Sequence, residues 1–472
     1  MNEFAYPKLM RYFEEISAVP RPSYHEDAIA DYLVSFAEAR GFSVVRDEWR
    51  NVLIKAPATV GLENRPTLLL QGHTDMVCEK NEGVAHDFLA DPIEIYEENG
   101  WLRAKGTTLG ADNGVAVAAM LAILDEEAHP PLECLFTASE EVGLDGAKNF
   151  DYTQISARKM INMDGADDAE IIVGCAGGIR SDLLLYGEKV PTEIPCYRLS
   201  IRGLTGGHSG EDIHRGRANA NCLLGRLLSE LLKTQEIRLA SVLGGNKDNA
   251  IPREATAVLG VENFESAKRV SDTVWRGILA ELSEEDASAE LCFVPCESEA
   301  CFFAPSMTES LVSLLSAKNG VLAMEEKYPD LVQFSRNLGV IRTEERGIKV
   351  TFSSRSAKDE QIDASVSELD GYAQRFEAEI THHSRYPGWA VAAQSELREE
   401  YAAVFERRFG KKLRVASIHA GLECGLIKQA IPTMDMLSCG PVIEHLHSPD
   451  ERLDLRSLER FFGLITELLK TI

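Results

Sequence analysis

The feature that most constrains the fold is a set of short apolar segments, each followed closely by a histidine or an acidic residue. Three of them lie at 67–71, 132–137 and 159–163. An Ala/Val/Leu-rich segment at 114–124, long enough for a buried helix, separates the first two, and helical patterns at 12–18 and 26–40 precede them. Strands that alternate with helices indicate an α/β unit with a largely parallel sheet.

The pattern changes near Val190. Two later stretches, 241–282 and 334–380, each read as a hairpin followed by a helix, which leaves an internal duplication of an α+β unit open. Beyond Trp389 the α/β style returns, with a closing helix predicted at 453–469. We therefore predict one α/β domain, 1–190 plus 388–472, interrupted by an inserted α+β domain at 191–387, because insertions are tolerated at exposed loops.

Composition excludes several classes of partner. The 472 residues include 49 Lys+Arg and 75 Asp+Glu, a formal net charge of -26, which disfavours nucleic acid and anionic membrane surfaces. We find no signal-peptide pattern at the N-terminus and no apolar run approaching the roughly 20 residues that span a bilayer. The ten cysteines are scattered without a CxxC pair, which favours free thiols. We expect a cytoplasmic protein.

Polar residues follow the predicted strands at the edge where α/β proteins build their sites. His73 and Asp75 are two residues apart on extended chain, so their side chains leave the same face, and one can bind a metal while the other orients its imidazole. Glu140 and Glu141 are adjacent and diverge, so one can ligate a metal while the other reaches a water. Asp112, where a loop enters a helix, could bridge two ions by one oxygen each.

These residue types suit a pair of divalent ions. Imidazole and carboxylate are ligands for zinc and its neighbours and need no thiolate. Two such ions carry +4, and Asp112, Glu141 and Asp164 would bring -3, so a hydroxide would neutralise the cluster.

Each signal also has an ordinary structural interpretation. A His-x-Asp pair is common on surfaces, an acidic pair is usually a solvated face, and Asp112 with Asn113 could cap a helix. The case for a site is that every predicted parallel strand end carries one of these signals.

Seven motifs are spread over nearly the whole chain: Gly72-His73-Thr74-Asp75, Gly110-Ala111-Asp112-Asn113-Gly114, Glu140-Glu141 with Gly143, Asp164-Gly165, Gly206-Gly207-His208-Ser209-Gly210, His419-Ala420-Gly421-Leu422-Glu423-Cys424-Gly425 and His447-Ser448-Pro449-Asp450-Glu451. Taken together, these motifs resemble those of the co-catalytic metallo-exopeptidases related to carboxypeptidase G, tripeptidase and carnosinase. Within that group the chain is most similar to the aminoacyl-histidine dipeptidases (peptidase D, Xaa-His dipeptidase).

The resemblance implies two metal sites. Asp112 would bridge them and would be followed by a cis peptide bond; Glu141 and His447 would complete one site, and His73 with Asp164 the other. His445 competes with His447, but only His447 lies in the matching motif. The resemblance further implies that Asp75 orients His73 and that Glu140 is the general base acting on a metal-bridging water.

The inserted domain resembles the family's lid and dimerisation domain. His208 would support the oxyanion, in the same or the partner subunit, and Arg355 would fork a substrate carboxylate. Asn249 and Gly421 occupy positions that line the substrate pocket in relatives, although such loop residues also serve turns.

The implied fold is α/β: a phosphorylase/hydrolase-like catalytic domain with a mixed sheet flanked by helices, interrupted by the α+β lid. The implied function is hydrolysis of unblocked dipeptides, Xaa-His and β-alanyl-His among them, by a homodimer holding two divalent ions per subunit. Zinc is the expected metal, with manganese and cobalt as alternatives. The rival functions are an aminoacylase or deacylase acting on N-acyl amino acids, and a non-catalytic metal-binding scaffold.

Overall fold

The computed structural model describes residues 4–472 apart from 127, 298, 300, 327, 329 and 330. The described residues form eleven α-helices: α1 Pro7–Ser17, α2 Asp27–Ala39, α3 Ala111–Glu126, α4 Asp145–Asn149, α5 Ala220–Leu232, α6 Phe264–Glu281, α7 Pro305–Leu315, α8 Asp359–Arg375, α9 Glu396–Phe409, α10 Glu423–Ala430 and α11 Leu455–Leu469. The strands are β1 Ser43–Arg46, β2 Val52–Ala56, β3 Leu68–His73, β4 Ile95–Glu98, β5 Trp101–Ala104, β6 Leu132–Thr137, β7 Lys159–Asn162, β8 Glu170–Cys175, β9 Gly177–Tyr186, β10 Lys189–Pro191, β11 Cys196–Arg202, β12 Gly207–His208, β13 Ile237–Gly244, β14 Ala250–Ile251, β15 Ala255–Val261, β16 Glu290–Pro295, β17 Cys301–Phe303, β18 Gly320–Met324, β19 Val332–Glu344, β20 Gly347–Ser356, β21 Glu379–Tyr386, β22 Arg414–Ile418, β23 Asp435–Ser438, β24 Ile443–Glu444 and β25 Arg452–Asp454.

The chain divides into two compact units. The first comprises Met1–Gly174, Val391–Ser417 and Leu422–Ile472, and the second Cys175–Ala390 and Ile418–Gly421. The α/β character and the interrupting α+β unit agree with the predicted fold class.

The first unit is built on a mixed sheet of order β1-β2-β6-β3-β7-β23-β8-β22. Strands β6, β3, β7 and β23 run parallel, whereas β1 and β2 are antiparallel additions at one side. Helix α3 is apolar on all sides, as a fully buried helix must be, and its residues from Val115 to Leu124 are all buried. They pack in one core with α1, α2, α9 and α11. The predicted parallel sheet is therefore confirmed for the central strands.

The pairing register of the parallel strands aligns their carboxyl ends. In the parallel pairs His73 lies opposite Thr137, and Gln71 lies opposite Asn162. Because parallel strands end at the same edge of the sheet, the residues after β3, β6 and β7 gather there. This is the edge that the sequence predicts for the site.

The second unit contains a sheet of order β16-β11-β15-β13-β19-β20-β9-β21, with β18 paired to β19. One half follows the order strand, helix, hairpin, helix, strand through β11, α5, β13–β15, α6 and β16. The other half repeats this order through β9, α7, β19–β20, α8 and β21. The halves meet where β13 pairs antiparallel with β19. Topology thus supports the internal duplication that the sequence left open.

The predicted boundary near Val190 and the observed division differ. Strand β9 lies before that boundary, yet it pairs with β20 and β21 of the second sheet, so the first segment of the first unit ends at Gly174. A strand's sheet is decided by partners far away in sequence, and the local pattern of β9 carries no information about them.

Two further observations concern the described residues. All ten cysteines are among them, and none forms a disulfide bond. Among the described residues, we find no helix with both the length and the apolar character needed to cross a bilayer.

Candidate active site

A cluster of histidines and carboxylates lies at the carboxyl edge of the first unit's sheet. His73 is the last residue of β3, and Asp112 lies in the first turn of α3, where the peptide bond to Asn113 is cis, as the resemblance implies. Glu141 and Asp164 follow β6 and β7. All four residues lie at or just after strand ends or at the start of a helix, where the predicted order of strands, loops and helices places them.

Asp112 stands between two histidines. Its Oδ1 lies 3.0 Å from Nε2 of His73, and its Oδ2 lies 3.2 Å from Nε2 of His447. Asp164 Oδ1 lies 3.7 Å from the His73 nitrogen, and Glu141 Oε1 lies 3.1 Å from the His447 nitrogen. The five predicted ligands are therefore close together, with His447 rather than His445 as the second imidazole.

The cluster contains overlapping sets of metal-ligand atoms. Among the described residues, His73, Asp112 and Asp164 form one set, and Asp112, Glu141 and His447 form a second, with the ligand atoms of each set within 4.8 Å of one another. A third set joins His73 to Glu140 and Glu141. Since Asp112 belongs to the first two sets through different oxygens, one carboxylate could serve two ions.

The donor set fits divalent cations. Glu141 Oε1 is buried and receives no hydrogen bond within the described structure, although His447 Nε2 faces it. Carboxylate oxygens and imidazole nitrogens are the ligands that zinc, manganese and cobalt accept. A carboxylate oxygen without a donor, turned toward an imidazole nitrogen, is the arrangement expected of ligands that converge on a cation.

Electrostatics supports the same conclusion. Burial and the neighbouring Asp112 carboxylate raise the pKa of Asp164 to about 8, against the influence of His73. The neighbouring carboxylates of Asp112 and Glu141 raise the pKa of His447 to about 10. Burial opposes a charge on His73, yet Asp112 and Asp75 outweigh it and raise its pKa well above the usual range. This concentration of negative charge binds protons strongly, and cations would displace them.

Glu140 lies next to this cluster. Desolvation raises its pKa well above the usual range, and the negative charges of Asp164, Glu423 and Glu141 add to that effect, while His73 opposes it. A carboxylate with a raised pKa is a stronger base than an ordinary glutamate, which suits a general base.

Asp75 has more contacts than the sequence predicts. Its Oδ1 lies 3.3 Å from Nδ1 of His73, in agreement with the expected orienting role. The same oxygen accepts a hydrogen bond from the Glu140 amide at 3.0 Å, and Oδ2 accepts from the Glu141 amide at 3.2 Å and from Ser23 Oγ at 2.7 Å. One buried carboxylate therefore fixes both the imidazole and the turn that carries the two glutamates.

Asn113 and Ser23 are site residues that the sequence analysis did not single out. Asn113 Nδ2 donates to Asp164 Oδ1. Asn113 was visible only as a neighbour of Asp112 in a motif, and Ser23 lies before α2 in a segment without a functional signal.

In the second unit the structure places His208 beside Asn249. His208 in β12 pairs with Ala250 in β14, and the amide of Ser209 donates to the Asn249 carbonyl at 2.8 Å. The His208 ring accepts the Glu211 amide at its Nδ1, 3.2 Å away. Burial and then the positive charge of Arg355 lower the pKa of His208, so its ring is neutral at physiological pH.

Arg355 and Gly421 meet at Tyr386, a residue that the sequence analysis missed. Arg355 lies in β20, is only 8% exposed, and donates from Nη1 to the Tyr386 hydroxyl at 2.9 Å. Its Nε is buried and donates to no group of the described structure. A Cβ on Gly421 would lie 2.9 Å from the Tyr386 ring, so this position requires glycine or movement of the ring.

His419 lies near this group. Its Nε2 is 2.7 Å from Ser335 Oγ, and burial together with Arg355 lowers its pKa to about 3.

The fold and the paired ligand sets define a metallopeptidase, and the chain belongs to peptidase family M20/M25/M40, whose model matches residues 69–471. Among its relatives is the cytosol non-specific dipeptidase of Escherichia coli K12, 40% identical over 467 residues, which span 98% of this chain and 96% of the relative. The crystal structure of aminoacylhistidine dipeptidase from Vibrio alginolyticus superposes with a TM-score of 0.96 at 38% identity, over 99% of this chain and 97% of that one. A tripeptidase from Staphylococcus aureus shares the fold, with a TM-score of 0.56 at 16% identity, over 99% of this chain and 98% of that one.

Proposed function

We propose that the protein is a metal-dependent dipeptidase that hydrolyses unblocked dipeptides, with Xaa-His and β-alanyl-His among its substrates. The observation that carries this proposal is the Asp112 carboxylate held between His73 and His447, with Glu140 beside the same cluster. The dipeptidase relatives from E. coli and Vibrio support the reaction, and the Vibrio enzyme's substrate class supports the preference for C-terminal histidine.

Two divalent ions, zinc by expectation with manganese or cobalt as alternatives, would be held by His73 with Asp164, by Glu141 with His447, and by Asp112 in common. When bound, such ions polarise the scissile carbonyl and lower the pKa of water toward about 7. Glu140 accepts the proton of the attacking water and returns it to the leaving amine, a task that its raised pKa favours. Asp75 holds the Glu140 amide and the His73 ring while this happens.

The second unit supplies the groups that recognise substrate in this proposal. Neutral His208 donates a hydrogen bond to the developing oxyanion. Arg355 binds the substrate carboxylate with its planar guanidinium, whose Nε is available for that bond. Asn249 and Gly421 line the pocket: the Asn249 carbonyl accepts the Ser209 amide next to His208, and Gly421 lies beside Tyr386.

In this proposal the protein is a cytoplasmic homodimer that assembles through the inserted unit. The name of the E. coli relative supports the compartment. The second sheet offers β16 and β21 as edge strands for assembly.

Size-exclusion chromatography with light scattering would give the oligomeric state, and a monomer at assay concentrations would contradict the dimer. In a dimer with a shared site, mixing Glu140→Ala and His208→Ala subunits should restore part of the activity. No recovery would place His208 in the same subunit as Glu140.

A substrate panel tests the proposed function. The chelated protein is reloaded with zinc, manganese or cobalt and offered dipeptides with and without C-terminal histidine, N-acetyl amino acids and a buffer control. We expect metal-dependent cleavage of free dipeptides and little cleavage of N-acetyl amino acids. Faster hydrolysis of the N-acetyl series would support an aminoacylase instead, and failure to bind any of these metals would support a non-catalytic scaffold.

A further inference from the structure

The buried side chain of Glu451 holds the backbone amides of the loop that presents Asp112. Four consecutive amides donate to its carboxylate: Leu109 at 2.8 Å and Gly110 at 3.0 Å to Oε2, and Ala111 at 2.8 Å and Asp112 at 3.3 Å to Oε1. Glu451 is 3% exposed, so these bonds form away from solvent. Hydrogen bonds to a charged acceptor are stronger than those between neutral groups.

Arg21 holds the same loop through its carbonyl side. Its Nη2 donates to the Gly110 carbonyl at 2.6 Å, and its Nη1 donates to the carbonyls of Thr74 at 3.0 Å and Asp75 at 3.3 Å. This guanidinium therefore ties the Asp112 loop to the strand end that carries His73. It is 2% exposed, and a planar fork of donors suits three carbonyls in a way that an ammonium group does not.

Two glycines make room for the guanidinium. A Cβ on Gly110 would lie 2.5 Å from Arg21 Nη2, and a Cβ on Gly114 would lie 2.7 Å from the same atom. Gly110 also has a φ of +69°, which favours glycine. The glycines of the Gly110–Gly114 motif thus have a structural reason that involves Arg21.

Glu451 and Arg21 also complement each other in charge. Burial lowers the pKa of Arg21, and the negative charge of Glu451 is the leading influence against that shift. Glu451 follows His447 by four residues, so one segment supplies both an imidazole that faces Asp112 and the carboxylate that holds the Asp112 backbone.

We infer that Glu451 and Arg21 are positioning residues that set the Asp112 carboxylate between His73 and His447, and so determine whether a second metal ion is bound. They contact none of the reacting groups directly and act through the backbone of the loop and of the strand end. This inference rests on the proposed function, in which Asp112 is the shared ligand.

Glu451→Gln is the primary test. Glutamine keeps the shape but replaces one acceptor oxygen by an NH2 group, so two of the four loop amides would face a donor. Zinc binding to the full-length, chelator-stripped protein is measured by competition with a coloured chelator, with metal content by mass spectrometry. We expect the first zinc to bind nearly as in the unmodified protein, and the second to bind about 10–100-fold more weakly, the usual cost of losing support around a ligand.

Activity at rising zinc concentration separates positioning from general damage. If Glu451 positions Asp112, excess zinc should restore much of kcat, and KM for the dipeptide should stay within about threefold. Asp450→Asn is the matched control, since it removes an exposed carboxylate one residue away, and its zinc affinity should be unchanged. Arg21→Lys keeps the charge but loses the fork, and should weaken the second site in the same direction.

Several outcomes would overturn the inference. The inference fails if folded Glu451→Gln binds the second zinc ion as tightly as the unmodified protein. It also fails if Asp450→Asn weakens binding of the second zinc ion by the same factor as Glu451→Gln. If Glu451→Gln does not fold, Glu451→Asp decides, because it keeps the charge but is too short to reach all four amides; normal zinc affinity there rejects the inference. Asp112→Asn tests the underlying proposal separately. If it retains both zinc ions the proposed function fails, whereas loss of zinc there with normal binding in the Glu451 variants rejects only the inference.

Discussion

Asp75→Asn probes the point at which the proposed metal ligand and the proposed base are held together. In either orientation of the new amide, one position now occupied by oxygen becomes an NH2 group. If the NH2 group takes the place of Oδ1, it faces the Glu140 amide and the His73 ring. If it takes the place of Oδ2, it faces the Glu141 amide, whereas the Ser23 hydroxyl can rotate and accept a hydrogen bond from it. A partly buried backbone donor therefore loses its acceptor in both cases, and His73 loses an anionic neighbour.

The expected magnitude follows from these contacts. An unsatisfied buried donor costs about 1–3 kcal/mol, which corresponds to about 5–150-fold if it is expressed in the transition state. Loss of support for a ligand imidazole costs about 10–100-fold in metal affinity or activity. We expect kcat/KM for a Xaa-His dipeptide to fall by about 10–100-fold at saturating zinc, and further at limiting zinc.

The assay compares Asp75→Asn with Ser23→Ala, which removes only the hydroxyl bond to the same carboxylate. Rates are measured across a zinc titration, with zinc content and melting temperature determined on the same preparations. Ser23→Ala should lose less than about threefold. The reasoning is refuted if Asp75→Asn stays within twofold of the unmodified enzyme, or if Ser23→Ala is equally damaging.

Two further predictions concern substrate binding and stability. Arg355→Lys should raise KM for dipeptides by about 10–100-fold, because charged hydrogen bonds contribute about 1.5–3 kcal/mol each, and a comparable effect on dipeptide amides in steady-state assays would contradict carboxylate recognition. Asp125 tests a cluster far from the chemistry: burial opposes its ionisation, but Lys8 and Arg40 outweigh it and lower its pKa to about 2. Because this folded-state pKa is depressed, the stabilisation, about 1 kcal/mol for ion pairs that solvent partly screens, is present above about pH 4 and is lost as the pH falls toward 2. Denaturant unfolding of Asp125→Asn should show that deficit at pH 7 and a narrowing difference below pH 4, and a constant difference across this range would reject the explanation.

The central fold and part of the candidate metal-ligand cluster were predictable because their signals are local. The closing helix predicted at 453–469 is α11, Leu455–Leu469, and β6 coincides with the apolar segment 132–137, since apolar periodicity and length decide such elements. The rule that parallel strands end at one edge then brings His73, Glu141 and Asp164 together without knowledge of the tertiary structure. Asp112 and His447 joined them through the motif resemblance.

The supporting residues could not be predicted in the same way. Arg21 precedes the first long helix pattern and contacts Gly110, which is 89 residues away in sequence, so no spacing rule connects them. Glu451 was visible in the motif around His447, but its four amide partners belong to a distant loop. Strand β9 was assigned to the wrong side of the boundary for the same reason, since its partners are β20 and β21. Long-range hydrogen bonds leave no local periodicity.

Glu140→Gln tests the central claim most directly, because it separates metal binding from proton transfer. Zinc stoichiometry and kcat for a Xaa-His dipeptide are measured on one preparation, beside the unmodified enzyme. The account predicts two zinc ions per chain and a kcat reduced by at least about 10²–10⁴-fold, the usual contribution of general acid–base catalysis. A variant that keeps its zinc and turns over at the normal rate would contradict it.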